Sequence, residues 1–177
     1  MDEIRAGPDP GSQGGNDPPP GGFGAGLNMR RETTMADKEN AAAGLSKLLA
    51  DTYAVYLKTH GYHWNVRGPN FHALHGMFME QYTEMWQAID TVAERIRALG
   101  ELAPQGYRTF GNLSSIRDGD PEKDADGMLR ELLADHEALI KTARAAREGA
   151  DDVTAAVIDD RIEAHEKHAW MLRASLG

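Results

Sequence analysis

Residues 58–100 read KTHGYHWNVRGPNFHALHGMFMEQYTEMWQAIDTVAERIRALG, and most of the architecture can be inferred outward from them. Two helical patterns meet in this segment at a short break, Arg67-Gly68-Pro69, because glycine and proline end helices. The segment also carries histidines and carboxylates, the groups that a borderline metal such as iron or zinc accepts. The candidate metal ligands are His63, His75, Asp90 and Glu94.

The spacing of these candidates limits how they can act together. His75 and Asp90 belong to one helical pattern, and the rise of an α-helix separates them by roughly 22 Å along its axis. No single metal site spans that distance. Asp90 and Glu94 are one turn apart, so they share a helix face and could share a metal. Either the histidines and the acids have separate roles, or a second copy of the chain brings the two sets together.

Composition sets the broad class of the protein. A chain of 177 residues is long enough for one domain with a sizeable core. It has no cysteine, which excludes disulfides, thiolate ligands and a cysteine nucleophile. Neither a membrane span nor a signal peptide is visible, so a soluble, cytoplasmic protein is expected. The net charge of −9 argues against a general polyanion binder and is compatible with attracting cations.

The first 35 residues differ from the rest of the chain. They are dominated by glycine and proline and contain little apolar surface to bury. Such composition cannot offset the entropy of ordering, so residues 1–35 are predicted to be a disordered tail. The folded domain is predicted to span residues 36–177.

Four amphipathic helical patterns follow the tail, and no segment has the alternation of a strand. The first two cover about residues 37–64 and 71–99. The third is predicted to open at Asp120, with Pro121 in its first turn, and the fourth to be capped by Asp151 or Asp152. The long connection between the second and third is predicted to hold a short helix near residues 112–116. An all-α, four-helix bundle is the expected fold.

The second helix carries two stripes rather than one. One stripe is a conventional core seam, and the other lies about 100° around the helix. The second stripe consists of His75, Met79, Tyr82, Trp86, Asp90 and Ala93. A helix with two semi-apolar stripes is usually buried on two sides, and a subunit interface is a natural second partner.

Three motifs in order resemble the Dps family of ferritin-like mini-ferritins. They are THGYHWNVRGPNFHALH at residues 59–75, DTVAERIRALG at residues 90–100 and HEKHAWMLRA at residues 165–174. The resemblance covers about residues 36–177. It implies a ferritin-like fold and a dodecameric shell that oxidises Fe(II), preferably with hydrogen peroxide, and stores a ferric mineral. It also implies a metal site at a two-fold interface, where one subunit supplies His63 and His75 and the other supplies Asp90 and Glu94.

One position departs from the family pattern. Four residues after the second histidine the family usually has an acid, whereas this chain has Met79, and a thioether is a weak ligand for iron. Support around the ligands is expected from His60, Trp64 and Trp86, and from Met79 itself. The resemblance further implies pores lined by acids near the start of the fourth helix. The pore candidates are Glu148, Asp151, Asp152 and Asp159.

Simpler interpretations exist for each residue alone. A single histidine on a helix face is more often a hydrogen-bonded core imidazole than a ligand, and His165 with His168 is expected to be such a structural pair. Asp90 and Glu94 could form a surface patch with neighbouring arginines. The chain has no Glu-x-x-His pair of the kind that binds two metals inside one ferritin subunit, which argues against an intrasubunit site.

Two functions remain. The first is a ferroxidase shell that binds iron, with zinc or manganese as alternative metals, uses hydrogen peroxide or oxygen and protects DNA from oxidative damage. The second is a nucleoid-associated protein that coats DNA and has weak ferroxidase activity. The tail is acidic overall, and Arg30 and Arg31 are its main basic cluster, so the electrostatic contribution to DNA affinity is unfavourable. Direct DNA binding is therefore ranked second.

Overall fold

A computed structural model of the chain describes residues 34–177. They form five helices, α1 (Met35–Asn65), α2 (Phe71–Ala98), α3 (Tyr107–Leu113), α4 (Ala125–Arg147) and α5 (Asp152–Leu176). Within this part of the chain there is no strand, which confirms the all-α prediction. Residues 1–33, which make up almost all of the predicted tail, lie outside the described residues. None of the five helices is long and apolar enough to cross a membrane.

The four long helices pack side by side as an antiparallel bundle. A five-residue turn joins α1 to α2, and a tight turn containing Gly149, at φ 79°, joins α4 to α5. The long connection after α2 returns the chain so that α4 lies against α1, where Gly44 faces Ala146 closely. Contacts between α2 and α5 close the bundle. The four-helix bundle with a short helix in its central connection is thus confirmed.

The interior has two apolar clusters, one toward each end of the bundle. The larger joins α1, α2, α4 and α5 through Leu45, Leu48, Met85, Ile96, Leu139 and Ile158. The smaller lies near the α1–α2 turn and contains Tyr62, Leu74, Phe78, Leu129 and Leu172. Each fully buried aliphatic or aromatic side chain contributes about 1.5–3 kcal/mol, so these clusters supply most of the stability of the fold.

Asp51 fixes the long connection to the bundle. Its buried carboxylate accepts hydrogen bonds from Ser114, from the backbone N–H and hydroxyl of Ser115, and from Thr142 on α4. Burial by itself raises the pKa of Asp51, but these hydrogen bonds and Lys47 outweigh it and hold the pKa below its ordinary value. The ionised carboxylate therefore ties α1, α4 and the segment after α3 together.

Two predicted helix starts are wrong. Asp120 does not begin the third long helix, because its side chain accepts from Glu122 N–H in a turn, and α4 is instead capped by Asp124 through Gly127 N–H. The short helix covers Tyr107–Leu113 rather than residues 112–116. Phe110 of this helix stacks on Tyr53 of α1 with ring centroids 4.8 Å apart, a tertiary contact that fixes the earlier position.

The predicted cap of the last helix is confirmed at Asp151. Its carboxylate accepts from the backbone N–H groups of Val153 and Thr154 and pairs with Arg95 of α2 at 3.0 Å. Burial raises the pKa of Asp151, but the Thr154 bonds and Arg95 overcome this and lower it to about 2. Val153 in the first turn of α5 is 61% exposed, whereas the next residue, Thr154, is buried.

We expect Asp151→Ala to destabilise the protein by about 1–2 kcal/mol, because a helix cap and an ion pair to another helix are both lost. Asp151→Asn keeps the cap and loses only the charge, so its melting temperature should fall less. The folded-state pKa is below the ordinary 3.8, so the stabilisation is present above about pH 4 and is lost as the pH falls toward 2. Melting curves at several pH values test this.

Asp126→Ala is a suitable control, because Asp126 is an exposed acid in the first turn of α4 and its ion pair is with the exposed Arg130. Its melting temperature should be near that of the wild type. Equal melting temperatures for Asp151→Ala and Asp126→Ala at pH 7 would contradict the role assigned to Asp151.

Candidate metal centre

The α1–α2 turn brings His63 and His75 together. His63 lies in the last turn of α1 and His75 in the second turn of α2, and their rings stack with centroids 3.7 Å apart. Nδ1 of His63 is 2.8 Å from the backbone oxygen of His75, and Nδ1 of His75 is 2.8 Å from the backbone oxygen of His63. The two histidines therefore hold each other through reciprocal hydrogen bonds across the turn.

These hydrogen bonds determine which nitrogen of each ring is left to bind a metal. A carbonyl oxygen only accepts, so Nδ1 carries the proton in both rings. In the neutral imidazole, Nε2 then keeps its lone pair, which is the form a metal requires. A bond from the other ring nitrogen to a backbone carbonyl is also the usual way in which proteins orient a histidine ligand. His63 and His75 thus present two prepared nitrogen donors.

The residues predicted to support the ligands form an aromatic cluster beside them. The ring centroid of His60 lies 4.2 Å from the centroids of both Trp64 and Tyr82. It lies 6.1 Å from the ring centroid of His63. Burial and the neighbouring His63 lower the pKa of His60. The ring centroid of Trp86 lies 5.9 Å from that of Tyr56. His60 is thus next to the ligand pair, whereas Trp64 and Trp86 extend the cluster outward.

The acidic candidates lie elsewhere on the chain. Asp90 and Glu94 are exposed on α2, which runs without interruption from His75 to both of them. The helical rise keeps His75 and Asp90 roughly 22 Å apart. One copy of the chain therefore keeps the candidate histidines and the candidate carboxylates apart.

The surface between these two candidate pairs is apolar and uncovered. Met79 is 46% exposed and Trp86 is 58% exposed, and both lie on the predicted second stripe. Tyr82 and Ala93 of the same stripe are half-buried. Exposed large apolar side chains in one row are typical of an interaction surface.

The four acids predicted to line a pore have different surroundings. Asp151 pairs with Arg95, and Asp159 makes a bidentate pair with Arg147, which lowers the pKa of Asp159. The charge of each is thus offset within the chain. The other two acids, Glu148 and Asp152, are exposed at the same turn.

A third group of potential ligands consists of three histidines that the sequence did not predict to lie together. His136 of α4 and His165 and His168 of α5 are buried together, with one nitrogen from each within 4.8 Å of the others. Burial lowers the pKa of His136 and His165 well below the ordinary value, and lowers that of His168 to about 4 against the opposing effect of Glu84. The position of His136 on the buried face of α4 is the sequence signal that could have indicated a contact with the histidine pair on α5.

Comparisons with known proteins agree on one family. The family model described as a ferritin-like domain matches residues 42–177. DNA protection during starvation protein 2 of Bacillus anthracis is 36% identical over 136 residues, which cover 75% of this chain and 93% of that protein.

Solved structures give the same result. The crystal structure of a Dps protein from Bacillus brevis has a TM-score of 0.78 at 34% identity and covers 80% of this chain and 98% of that one. A Dps protein from Vibrio cholerae O1, described as a member of a broad superfamily of ferritin-like diiron-carboxylate proteins, has a TM-score of 0.77 at 31% identity. It covers 81% of this chain and 92% of that one.

Proposed function

This chain belongs to the Dps family of ferritin-like proteins, and from that premise we propose that it is a ferroxidase that takes up, oxidises and stores iron. The proposal rests mainly on the His63–His75 pair, whose reciprocal hydrogen bonds leave both Nε2 atoms available to a metal. The names of relatives refer to DNA protection during starvation, and removal of Fe(II) and peroxide protects DNA without contact.

A second copy of the chain completes the proposed site. If two α2 helices pack antiparallel about a two-fold axis near Tyr82, His75 of one copy lies opposite Asp90 of the other. The same axis sets Met79 opposite Trp86, so the exposed apolar stripe is covered by its own counterpart. One interface thus buries the stripe of both copies and forms two equivalent sites, each with the histidines of one copy and the carboxylates of the other. Further copies would extend this pair into a dodecameric shell.

The donor set suits Fe(II) as substrate. Two neutral imidazole nitrogens and two carboxylates are ligands that ferrous iron accepts, and the carboxylates offset the charge that increases on oxidation. Each Fe(II) gives up one electron. Two of them reduce one hydrogen peroxide, which takes up two protons and leaves as two waters. Oxygen is the alternative oxidant. Zinc or manganese would bind such a set without this turnover, and nothing in the comparisons favours them.

The interface accounts for the unusual Met79. In the antiparallel arrangement Met79 meets the Trp86 ring of the partner, and a thioether packs well against an aromatic edge. The position then contributes to association instead of coordination. The site keeps four candidate ligands and lacks the fifth, so we propose that it binds iron more weakly than a site with an acid at this position.

Iron is proposed to enter near the start of α5. Exposed carboxylates around a narrow opening raise the local concentration of cations, and salt screens this effect. Glu148, Asp152 and Asp159 are the exposed members of the four predicted pore acids, and Asp159 is paired with Arg147. Asp151 and Asp159 would act mainly by holding Arg95 and Arg147.

Assembly depends on the α2 stripe under this proposal. Trp86→Glu should prevent the shell from forming, because the interface would bury an unpaired charge at each of its two Trp86 positions. Gln87→Glu is the matched control, since Gln87 is exposed on the same helix about 100° away from Trp86. Light scattering after gel filtration measures the mass. A stable wild-type monomer at micromolar concentration would contradict the shell and the shared site together.

Mixed shells test the shared site directly. A His63→Ala/His75→Ala chain and an Asp90→Ala/Glu94→Ala chain should each lose the fast phase of Fe(II) oxidation. When the two are unfolded, mixed equally and reassembled, about one quarter of the sites combine intact histidines with intact acids. The fast phase should return to about that fraction. No recovery in mixed shells of normal mass would rule out a site shared between copies.

Met79→Glu should tighten Fe(II) binding or raise the oxidation rate, because it adds a carboxylate one turn after His75. Met79→Gln is the control for size without charge. Anaerobic Fe(II) titration followed by addition of peroxide measures affinity and rate. If the glutamate variant assembles and behaves as the wild type does, Met79 serves packing alone and its position is not part of the site.

A Glu148→Gln/Asp152→Asn double variant should slow the initial oxidation of Fe(II) at low salt and differ less from the wild type at high salt. Asp126→Asn removes an exposed charge at the start of a different helix and should have little effect. Identical initial rates for the double variant and the wild type at low salt would remove the pore assignment.

A further inference from the structure

A layer of polar side chains crosses the middle of the bundle between its two apolar clusters. All four long helices contribute to it. Its buried members are Lys58, Thr59, Gln81, His136, Arg161, His165 and His168. Buried polar groups are costly unless they are satisfied, so such a layer requires a specific account.

The three histidines of this layer are incompletely satisfied. Nδ1 of His136 and Nδ1 of His165 lie 2.9 Å apart and share one proton in a hydrogen bond. Nε2 of both rings and Nδ1 of His168 are buried without a hydrogen-bond partner among residues 34–177. Each unmet group of this kind costs about 1–3 kcal/mol. In the neutral state the ring that donates this hydrogen bond keeps a lone pair on Nε2, and the ring that accepts it carries its proton on Nε2. A metal that takes the place of the shared proton would use the Nδ1 lone pairs of both rings, beside the unused Nδ1 of His168.

We propose that His136, His165 and His168 form a second metal site, inside each subunit, for a late first-row divalent cation such as Zn²⁺. One nitrogen from each ring already lies within 4.8 Å of the others. Tetrahedral coordination at Zn–N distances of about 2.0–2.1 Å places ligand nitrogens about 3.3 Å apart, so a side-chain adjustment of about 1 Å assembles the site.

Glu84 provides an orienting group for this site. One carboxylate oxygen of Glu84 is held by Arg161, while the other is buried without a hydrogen bond and lies 4.0 Å from Nε2 of His168. If Nδ1 of His168 binds the metal, Nε2–H is left to donate to Glu84. A carboxylate that accepts from the outer nitrogen of a ligand histidine is the usual arrangement around bound zinc.

The ligand chemistry separates this site from the proposed ferroxidase centre. Three nitrogen donors and no directly placed carboxylate favour a metal such as zinc over oxygen-preferring cations. Arg161 is close and positively charged, but Glu84 balances it. The site therefore favours a zinc-like cation and is poorly suited to exchanging iron with an interior store.

The test uses assembled shells of an Asp90→Asn/Glu94→Gln chain, which lacks the carboxylates of the proposed interface site. Both residues are exposed in the single subunit, so neither substitution alters its core. After removal of metal by chelator and long incubation with Zn²⁺, gel filtration and elemental analysis give the zinc retained per chain. We expect about one Zn²⁺ per chain, a ratio set by one three-histidine site in each.

Two additional substitutions in the same background distinguish the outcomes. His168→Gln should reduce retained zinc at least ten-fold, whereas His72→Gln, which changes an exposed histidine, should leave it unchanged. No retention in the background, or equal retention with His168→Gln, would overturn the proposal.

A second measurement does not depend on the folding of His168→Gln. It is X-ray absorption at the zinc edge of the Asp90→Asn/Glu94→Gln chain with its three buried histidines intact. Scattering from three imidazoles is the expected result. A first shell made only of oxygen, or of one or two imidazoles, would place the metal elsewhere and overturn the site.

Discussion

An unbroken α-helix cannot bring its own ends together, and α2 carries candidate ligands near both ends. The distance between His75 and Asp90 is set by backbone hydrogen bonds and not by side-chain choice, so no rotamer change within one copy closes it. The chain has instead a candidate histidine pair, a candidate acidic pair and an apolar stripe between them. Under the proposed function, chemistry and assembly would rely on the same surface, and a change in either one would affect the other.

The two candidate pairs are prepared to different degrees. His63 and His75 are oriented by each other's backbone, so little conformational freedom is lost when they bind a metal. Asp90 and Glu94 are exposed and can adjust when a partner arrives. Under the proposed function, the rigid pair would supply nitrogen donors and the adaptable pair would supply charge. The bundle underneath is held by Asp51, Asp124 and Asp151, whose side-chain oxygens accept hydrogen bonds from the backbone at a helix end or a connection.

Much of the fold could be predicted from the sequence, because helical periodicity and capping residues are local signals. The start of α4 was predicted wrongly, because Asp120-Pro121 suits a turn as well as a helix start. The position of α3 depends on Phe110 stacking on Tyr53, a contact between residues far apart in sequence. The metal ligands rested on a family resemblance. The meeting of His136 with His165 and His168 could not be read from spacing, because it joins two helices.

The three tryptophans of the chain, Trp64, Trp86 and Trp170, are all largely exposed in the single subunit, at 66%, 58% and 62%. Tryptophan emission from a separated chain would therefore come from indole rings that are largely exposed to water. Burial of Trp86 against a second copy would shift that emission to shorter wavelength, and ferric iron held beside Trp64 would quench it. If the proposed interface and iron site form, tryptophan emission would report both association and iron loading without a label.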